Sequence, residues 1–160
     1  MRVIAIILIF LSLTGYSQNK IKNVIYMIPD GTSSDLITVT RWYKGEKLAL
    51  DEIICGMVST HTADGKITDS APAGTALATG VKSTSGFIGV DKDSLPHISL
   101  LEMAKLKGLS TGIAVTCEFP HATPASFVCH YPDRNNYEIL ANQFIYNSPD
   151  LFFGGGEAIL

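Results

Sequence analysis

VIYMIPDG, residues 24–31, is the stretch of sequence that decides the fold class. Its first five residues form a continuous apolar run, and such a run suits a strand that is buried on both faces. The run ends abruptly at Pro29, which places Asp30 at the carboxyl end of the predicted strand. Ligands bind at this edge in open α/β sheets, although an Asp before Gly is more often turn chemistry alone.

Beyond residue 31, segments that favour helices alternate with short segments that favour strands. Strands are predicted at 55–61, 113–117 and 151–153, with the three glycines 154–156 closing the last one. Three helices are predicted. The first spans residues 70–82, and the second begins at a capping box formed by Ser99 and Glu102 and ends at Gly108. The third is indicated by apolar residues at helical spacing: Tyr137, Leu140, Ala141, Phe144 and Ile145. This order predicts an α/β fold with three layers, α/β/α, around a mostly parallel central sheet.

Two helix starts are predicted from local signals. Ser70 is an acceptable N-cap for the helix at 70–82, and Pro72 falls in its first turn, where a missing N–H costs little. Thr123 followed by Pro124 is typical of an N-cap with proline at the first helical position.

The predicted sheet is unfinished where the sequence ends, four residues after Gly156. A parallel sheet left there would have a hydrophobic edge without a partner. We therefore expect residues 18–160 to be the N-terminal part of a single domain that is incomplete in this chain.

The first 17 residues have the three-part layout of a secretory signal peptide. Arg2 precedes an almost unbroken apolar run over 3–13, and Gly15 and Ser17 supply small residues for cleavage after Ser17. The run is shorter than the ~20 residues that a spanning helix needs. We therefore expect export to the periplasm or the extracellular space, with no stable membrane anchor.

Charge and cysteine content limit the function classes further. The 12 basic and 15 acidic residues give a net charge of -3, which offers no electrostatic reason to expect nucleic acid as a partner. Cys55, Cys117 and Cys129 show no CxxC spacing. They are better interpreted as small buried hydrophobic residues than as one disulfide with a cysteine left over.

Several side chains have types that suit phosphate or metal chemistry. Ser70 opens a predicted helix beside Asp69, and a helix N-terminus favours an anion. His121 and Thr123 follow the strand at 113–117, and the guanidinium of Arg134, in a polar loop, suits a phosphate. Taken singly, each has a more common structural explanation, such as a plain capping serine or a solvated arginine.

The remaining histidines show no metal-ligand spacing. We predict that they are structural or surface residues: His61, His97 and His130.

The order of these motifs resembles the alkaline phosphatase family. The matching text is Asp30-Gly31, then Asp69-Ser70-Ala71 opening a small-residue helix that ends in Thr79-Gly80-Val81-Lys82, then Ala122-Thr123-Pro124-Ala125, then His130 with Arg134. The resemblance runs from about residue 22 to the end, and it covers the N-terminal part of such an enzyme.

The resemblance implies hydrolysis of phosphate monoesters through a phosphoserine intermediate. Ser70 would be the nucleophile, Arg134 would clamp the phosphate oxygens, and Asp69 would orient Arg134. Such chemistry asks mainly for positioning and charge neutralisation, because a phosphomonoester is a dianion.

The resemblance also implies two Zn²⁺ and one Mg²⁺. A pair of zinc ions can stabilise the attacking oxygen and the leaving oxygen together. Asp30 would bridge the second zinc and the magnesium, and Thr123 would be a magnesium ligand. His121 stands where some members have Asp and others His, so it would hold magnesium more weakly, through water. The family's other ligands lie later in its sequences, and we therefore expect residues 18–160 alone to be inactive.

Other functions stay open at this point. A sulfatase of the same superfamily needs Arg where Gly74 stands, and related phosphodiesterases often use Thr as nucleophile and lack the arginine clamp. A secreted, non-catalytic phosphate- or metal-binding protein is the alternative from another class. A second copy of the chain is a further candidate partner.

Overall fold

The computed structural model describes residues 21–147 and 149–156. In chain order the elements are α1 (Ser34–Lys44), a 3₁₀ turn (Ala49–Glu52), α2 (Ser70–Thr79), α3 (Leu100–Leu106), β1 (Gly112–Glu118), α4 (Ala122–Ala125), α5 (Tyr137–Tyr146) and β2 (Leu151–Gly155). Helices and parallel strands thus alternate in an α/β fold, as predicted. The predicted signal peptide, residues 1–17, lies outside the described residues.

The two strands β1 and β2 pair in parallel. Gly112 lies opposite Leu151 and Ala114 opposite Phe153, and the register then shifts before Glu118 meets Gly155. The strands at 113–117 and 151–153 are therefore confirmed. Gly154 and Gly155 belong to β2 rather than ending it, because the ladder continues to the Glu118 pair.

Aromatic residues join the sheet to α5. The rings of Phe119, Phe144 and Phe152 meet edge to face, with centroids 5.1 to 6.1 Å apart. Edge-to-face contacts of this kind add stability beyond the apolar area that they bury. Leu140 and Phe144 of α5 are buried as predicted, but Ile145 is exposed, because the apolar stripe is narrower than the sequence suggested.

The helix α2 begins and ends at capping residues. Its N-cap is Asp69, whose side chain accepts a hydrogen bond from the Ala71 N–H, so the prediction of Ser70 as N-cap is wrong by one residue. A carboxylate accepts this bond well, and Ser70 is left as the first helical residue with a free hydroxyl for other contacts. The helix ends at Gly80, which adopts the left-handed conformation, two residues before the predicted end.

The helix α3 has the predicted capping box. Ser99 Oγ accepts from the Glu102 N–H, and Glu102 Oε2 accepts from the Ser99 N–H. Gly108 follows the helix with a φ of 70°, as expected of a helix stop.

The short helix α4 follows directly from β1. The prediction of Thr123 as its N-cap is wrong, because the helix already begins at Ala122 and His121 holds the N-cap position. A turn that closes from the His121 N–H to the Glu118 carbonyl starts the helix early. The Thr123 hydroxyl is thereby left on the helix, where it bonds to another part of the chain.

The helices α2 and α4 approach closely at Gly74. A Cβ at this position would lie 2.8 Å from Ser126 Oγ, which is too near for any side chain. The small residue therefore lets the two helices that carry Ser70 and Thr123 meet. The core around this contact is completed by Ala71, Ala122 and Ala125, all buried.

Residues 24–28 do not form the predicted strand. They have no regular secondary structure, and Val24, Ile25 and Met27 are more than four-fifths exposed. A strand buried on both faces needs a hydrogen-bonded neighbour, and none of the described residues pairs with this run. Residues 55–61 likewise form no strand and are exposed, again without a partner among the described residues.

Candidate active site

Two side chains from distant parts of the sequence meet at the carboxylate of Asp30. Ser70 Oγ donates to Asp30 Oδ1 at 3.3 Å, and Thr123 Oγ1 donates to Asp30 Oδ2 at 2.8 Å. The two oxygens of one carboxylate thus bridge the first turn of α2 and the helix α4. The structure brings together three of the residues that the sequence predicted.

Local geometry holds Asp30 at this meeting point. A turn closes from the Thr32 N–H to the Pro29 carbonyl, and Gly31 inside it has a φ of 74°, which glycine adopts without strain. Ser70 is fixed by the N-terminus of α2, and Thr123 by α4 behind the end of β1. The site therefore forms where a loop end, a helix start and a strand end converge.

Asp69 and Arg134 form a second pair beside the first group. Arg134 Nη1 donates to Asp69 Oδ2 at 2.7 Å, and each side chain keeps about a quarter of its surface exposed. The other oxygen, Asp69 Oδ1, accepts from Ser85 Oγ at 2.9 Å and from the Gly86 N–H at 3.1 Å. Asp69 is the residue before Ser70, so the guanidinium is tied to the same helix start as the hydroxyl.

These donors keep Asp69 ionised. Partial burial raises the pKa of its carboxyl, but the hydrogen bonds from Arg134, Ser85, Gly86 and Ala71 outweigh it and hold the pKa below its usual value. A carboxylate that stays charged keeps Arg134 in one position.

His121 lies beside Arg134. Its Nε2 is 3.4 Å from Arg134 Nη2, and because a guanidinium can only donate, this nitrogen accepts. The other ring nitrogen, Nδ1, is buried and has no hydrogen-bond partner. No hydrogen bond between the described residues joins His121 to Asp30, so the structure brings it to the arginine rather than to the carboxylate.

Sequence reasoning missed two contributions to this region. The sequence indicates no role for Ser85 or Gly86, yet both donate hydrogen bonds to Asp69. A Ser-Gly pair at a turn carries no signal that identifies such a partner. His130 makes two hydrogen bonds that the sequence did not indicate, one from each ring nitrogen, to the Gly89 carbonyl and to Glu102.

The donors that meet at Asp30 are all oxygens. Such donors suit Mg²⁺, and Zn²⁺ also takes carboxylate oxygen. In residues 21–147 and 149–156, no group of three or more His, Cys, Asp or Glu could hold a metal ion. The oxygens of Asp30, Ser70 and Thr123 thus suit a cation in their chemistry, but the described residues do not form a complete group of such ligands.

All three cysteines are free. Cys129 is buried, and this burial raises the pKa of its thiol to about 12, as suits an inert core residue. Cys117 is partly buried, but Cys55 is exposed, so the interpretation of all three as core residues is wrong at that position. No helix in the described part of the chain has the length and apolar content to span a bilayer.

Comparison with known proteins decides the family. The family model described as Alkaline phosphatase matches residues 21–156, which is most of the chain. The chain belongs to the alkaline phosphatase family. Alkaline phosphatase 4 of Bacillus subtilis is 41% identical over 155 residues, which are 87% of this chain and 34% of that protein. The alkaline phosphatase of Escherichia coli K12 is 39% identical over 132 residues, or 76% of this chain and 28% of that protein.

Solved structures of alkaline phosphatases have the same fold. The cold-active enzyme of a psychrophilic Shewanella superposes with a TM-score of 0.78 at 39% identity, over 82% of this chain and 35% of that one. The enzyme of the Antarctic bacterium TAB5 superposes with a TM-score of 0.71 at 32% identity, over 79% of this chain and 37% of that one. The chain spans about a third of the length of the alkaline phosphatases that it matches.

Proposed function

We propose that this chain supplies the nucleophile and the phosphate clamp of an enzyme that hydrolyses phosphate monoesters. One observation supports this most directly. Ser70 opens α2 with its hydroxyl on Asp30, while the preceding residue, Asp69, holds the guanidinium of Arg134. The proposed nucleophile and the carboxylate that holds the phosphate-binding guanidinium are thus consecutive residues.

Different groups at the site would contribute to binding a phosphomonoester dianion. The guanidinium of Arg134 keeps donors beyond the one that Asp69 takes, and its planar fork suits phosphate oxygens. The N-terminus of α2 adds the positive end of the helix dipole. Asp69 does not contact the phosphate in this proposal, but it keeps Arg134 from moving.

Ser70 would carry the phosphoryl group. Its Oγ forms a bond to phosphorus while the ester P–O bond breaks, and the alcohol leaves with a proton. Asp30 Oδ1 accepts the hydrogen bond of the Ser70 hydroxyl and so orients its oxygen for attack, and the serine proton passes to solvent while the departing alcohol takes a proton from solvent. Water then attacks the phosphoserine, which returns the Ser70 hydroxyl and releases inorganic phosphate.

The oxygen donors at the site fit a role in cation binding. Asp30 and Thr123 would hold Mg²⁺, with His121 taking part only through water, and Asp30 and Ser70 would face Zn²⁺. Two Zn²⁺ and one Mg²⁺, when bound, would supply positive charge for the serine oxygen and the leaving oxygen. Because no group of three ligands lies in the described residues, we propose that residues 18–160 alone have no phosphatase activity.

The location of the enzyme is part of the proposal. The signal-like residues 1–17 suggest export, to the periplasm or the extracellular space, and the substrates there would be soluble phosphate monoesters. N-terminal sequencing of the secreted product tests this, since an intact Met1 would contradict cleavage after Ser17.

A kinetic comparison tests the activity itself. The gene product, expressed in full, is assayed with a phosphate monoester and with a diester in the presence of Zn²⁺ and Mg²⁺. We expect monoester turnover that Ser70→Ala lowers at least about a thousandfold. Ser34→Ala is a matched control, because Ser34 is an exposed serine at the start of α1. Preference for the diester, or turnover that survives Ser70→Ala, would refute the proposal.

A further inference from the structure

His130 lies outside the group of residues around Ser70, but it is tied into the structure at both ring nitrogens. Nδ1 is 2.8 Å from the carbonyl oxygen of Gly89, and Nε2 is 2.8 Å from Glu102 Oε1. Glu102 Oε2 accepts from the Ser99 N–H, so the carboxylate of α3 is held in place. The ring thus connects three segments that are far apart in sequence.

The hydrogen-bond partners fix the protonation state of the ring. A backbone carbonyl can only accept a hydrogen bond, and an ionised carboxylate can only accept one. His130 therefore donates from both nitrogens and is an imidazolium cation. The hydrogen bond to Glu102 raises the pKa of His130, and this outweighs the effect of its partial burial, which lowers the pKa.

The segment that begins at His130 ends at Arg134. Tyr131 exchanges two backbone hydrogen bonds with Ile88, and the Arg134 N–H donates to the Gly86 carbonyl at 2.7 Å. Residues 130–134 thus run antiparallel to residues 86–89. The same Gly86 donates its N–H to Asp69, the partner of the Arg134 side chain.

Residues 86–89 are themselves anchored on α2. Thr75 Oγ1 donates to the Phe87 carbonyl and accepts from the Gly89 N–H. Gly89 has a φ of 61°, and a Cβ there would lie 2.7 Å from His130 Nδ1. The glycine is required for the ring to sit against the backbone, so this contact is built into the fold.

We propose that His130, as an imidazolium, is a positioning residue for Arg134, since its two hydrogen bonds hold residues 130–134 against residues 86–89 and α3. The proposal rests on the proposed function in that Arg134 is taken to bind phosphate. His130 itself touches no substrate. Its loss would let the backbone of Arg134 move relative to Asp69, and phosphate would be held less well.

Other charged groups face the same cavity of about 580 Å³. The titratable side chains that line it besides His130 are Glu102 and Lys105 of α3, His97 of the preceding loop and Tyr146 of α5. Glu102 makes the direct contact with His130, while His97 is engaged by Asp91 at 2.8 Å.

The proposal gives a definite pH dependence. A group whose pKa is raised in the folded state contributes stability below its unfolded pKa, and that contribution is lost as the pH rises through the folded value. The contacts that hold residues 130–134 against residues 86–89 and α3 should therefore weaken as the pH rises. Ring ¹⁵N NMR should show both nitrogens of His130 protonated above the ordinary histidine pKa of about 6.5.

Amide hydrogen exchange tests these contacts without relying on activity. In the gene product expressed in full, His130→Gln should speed exchange at the Tyr131 and Arg134 amides about tenfold. Glu102→Gln, which keeps the shape of the side chain, should act in the same direction and serves if His130→Gln fails to fold. His97→Gln is the matched control, because His97 also contacts a carboxylate, that of Asp91, and lines the same cavity but makes no side-chain bond to residues 130–134.

Binding of inorganic phosphate by calorimetry tests the consequence. We expect His130→Gln to weaken phosphate binding about fivefold in the wild-type background and to have no further effect when combined with Arg134→Ala. Equal weakening in both backgrounds, or unchanged exchange at Tyr131 and Arg134, would overturn the proposal. If the wild-type protein binds no phosphate, the proposed function fails, and the exchange rates still decide whether His130 fixes Arg134.

Discussion

Thr123 Oγ1 donates a 2.8 Å hydrogen bond to Asp30 Oδ2, across a separation of 93 residues in the sequence. The bond joins the helix after β1 to the turn after residues 24–28, and the other oxygen of the same carboxylate receives Ser70. Asp30 is thus oriented from two sides by hydroxyls. A carboxylate oriented in this way has already lost the rotational freedom that binding of the proposed cation would otherwise cost.

Thr123→Val should distinguish the effect of the Thr123 hydroxyl from the effect of the side chain's shape. Valine has nearly the same shape but donates no hydrogen bond, so Asp30 Oδ2 loses its partner. We expect the apparent affinity for Mg²⁺ to fall about tenfold or more in the gene product expressed in full. Calorimetric titration with Mg²⁺ measures this. Thr123→Ser retains the hydroxyl and should bind nearly as well as the wild type, and equal affinity of all three proteins would contradict the role of Thr123.

Arg134→Lys should weaken phosphate binding although the charge is kept. The guanidinium can donate to Asp69 and to phosphate oxygens together, whereas an ammonium is a point charge that cannot span both. We expect a loss in phosphate affinity of about ten- to a hundredfold. Inhibition by inorganic phosphate measures it, and Arg41→Lys is a control, since Arg41 pairs with Asp51 away from the site. Wild-type affinity in Arg134→Lys would contradict the clamp.

Asp69→Asn should make the protein less sensitive to acid. The pKa of Asp69 lies below its usual value in the folded state, so its contribution to stability is present above the unfolded pKa and is lost as the pH falls through the folded pKa. The amide cannot titrate, so the variant should lack this component of acid destabilisation while being less stable at neutral pH. Denaturant unfolding at a series of pH values measures both proteins. Parallel stability curves down to the acid end would show that Asp69 does not contribute.

Gly89→Ala should destabilise the fold more than Gly86→Ala. Both glycines have positive φ, so alanine at either position costs about 1 kcal/mol of backbone strain. At Gly86 no other atom lies within 4 Å of the added Cβ, whereas at Gly89 the Cβ would collide with the Cys129 carbonyl oxygen. We expect Gly89→Ala to lower the free energy of unfolding by roughly 3 kcal/mol or more. Urea denaturation compares the two variants, and equal losses would mean that the contact at Gly89 relaxes.

Local sequence signals predicted elements that are stabilised locally. The capping box at Ser99 and Glu102 and the glycine stop at Gly108 after α3 lie where the sequence indicated, because their hydrogen bonds join residues close in the chain. The strand at 113–117 also lies where the sequence indicated, although it pairs with residues 151–155. The N-caps of α2 and α4 lie one and two residues before the predicted positions. At α2 the Asp69 carboxylate accepts from the Ala71 N–H, and at α4 the turn from the His121 N–H to the Glu118 carbonyl begins the helix early.

The run at 24–28 is the clearest failure of local reasoning. Its apolar residues predict a central strand, but a strand is stable only when hydrogen-bonded neighbours exist, and the described residues supply none. Burial of an apolar run depends on the segments that lie beside it, and the pattern of residues within the run carries no information about those segments.

The sequence by itself determined the family and the α/β class, since these are written in residue types and their order, and it supplied the residues on which the proposed chemistry rests. Tertiary structure alone decided which groups meet. Ser70 and Thr123 share the two oxygens of Asp30, Arg134 is held by Asp69, and His130 donates to both Gly89 and Glu102. The physical reason is that a hydrogen bond acts over about 3 Å in space, whatever the separation of its partners along the chain.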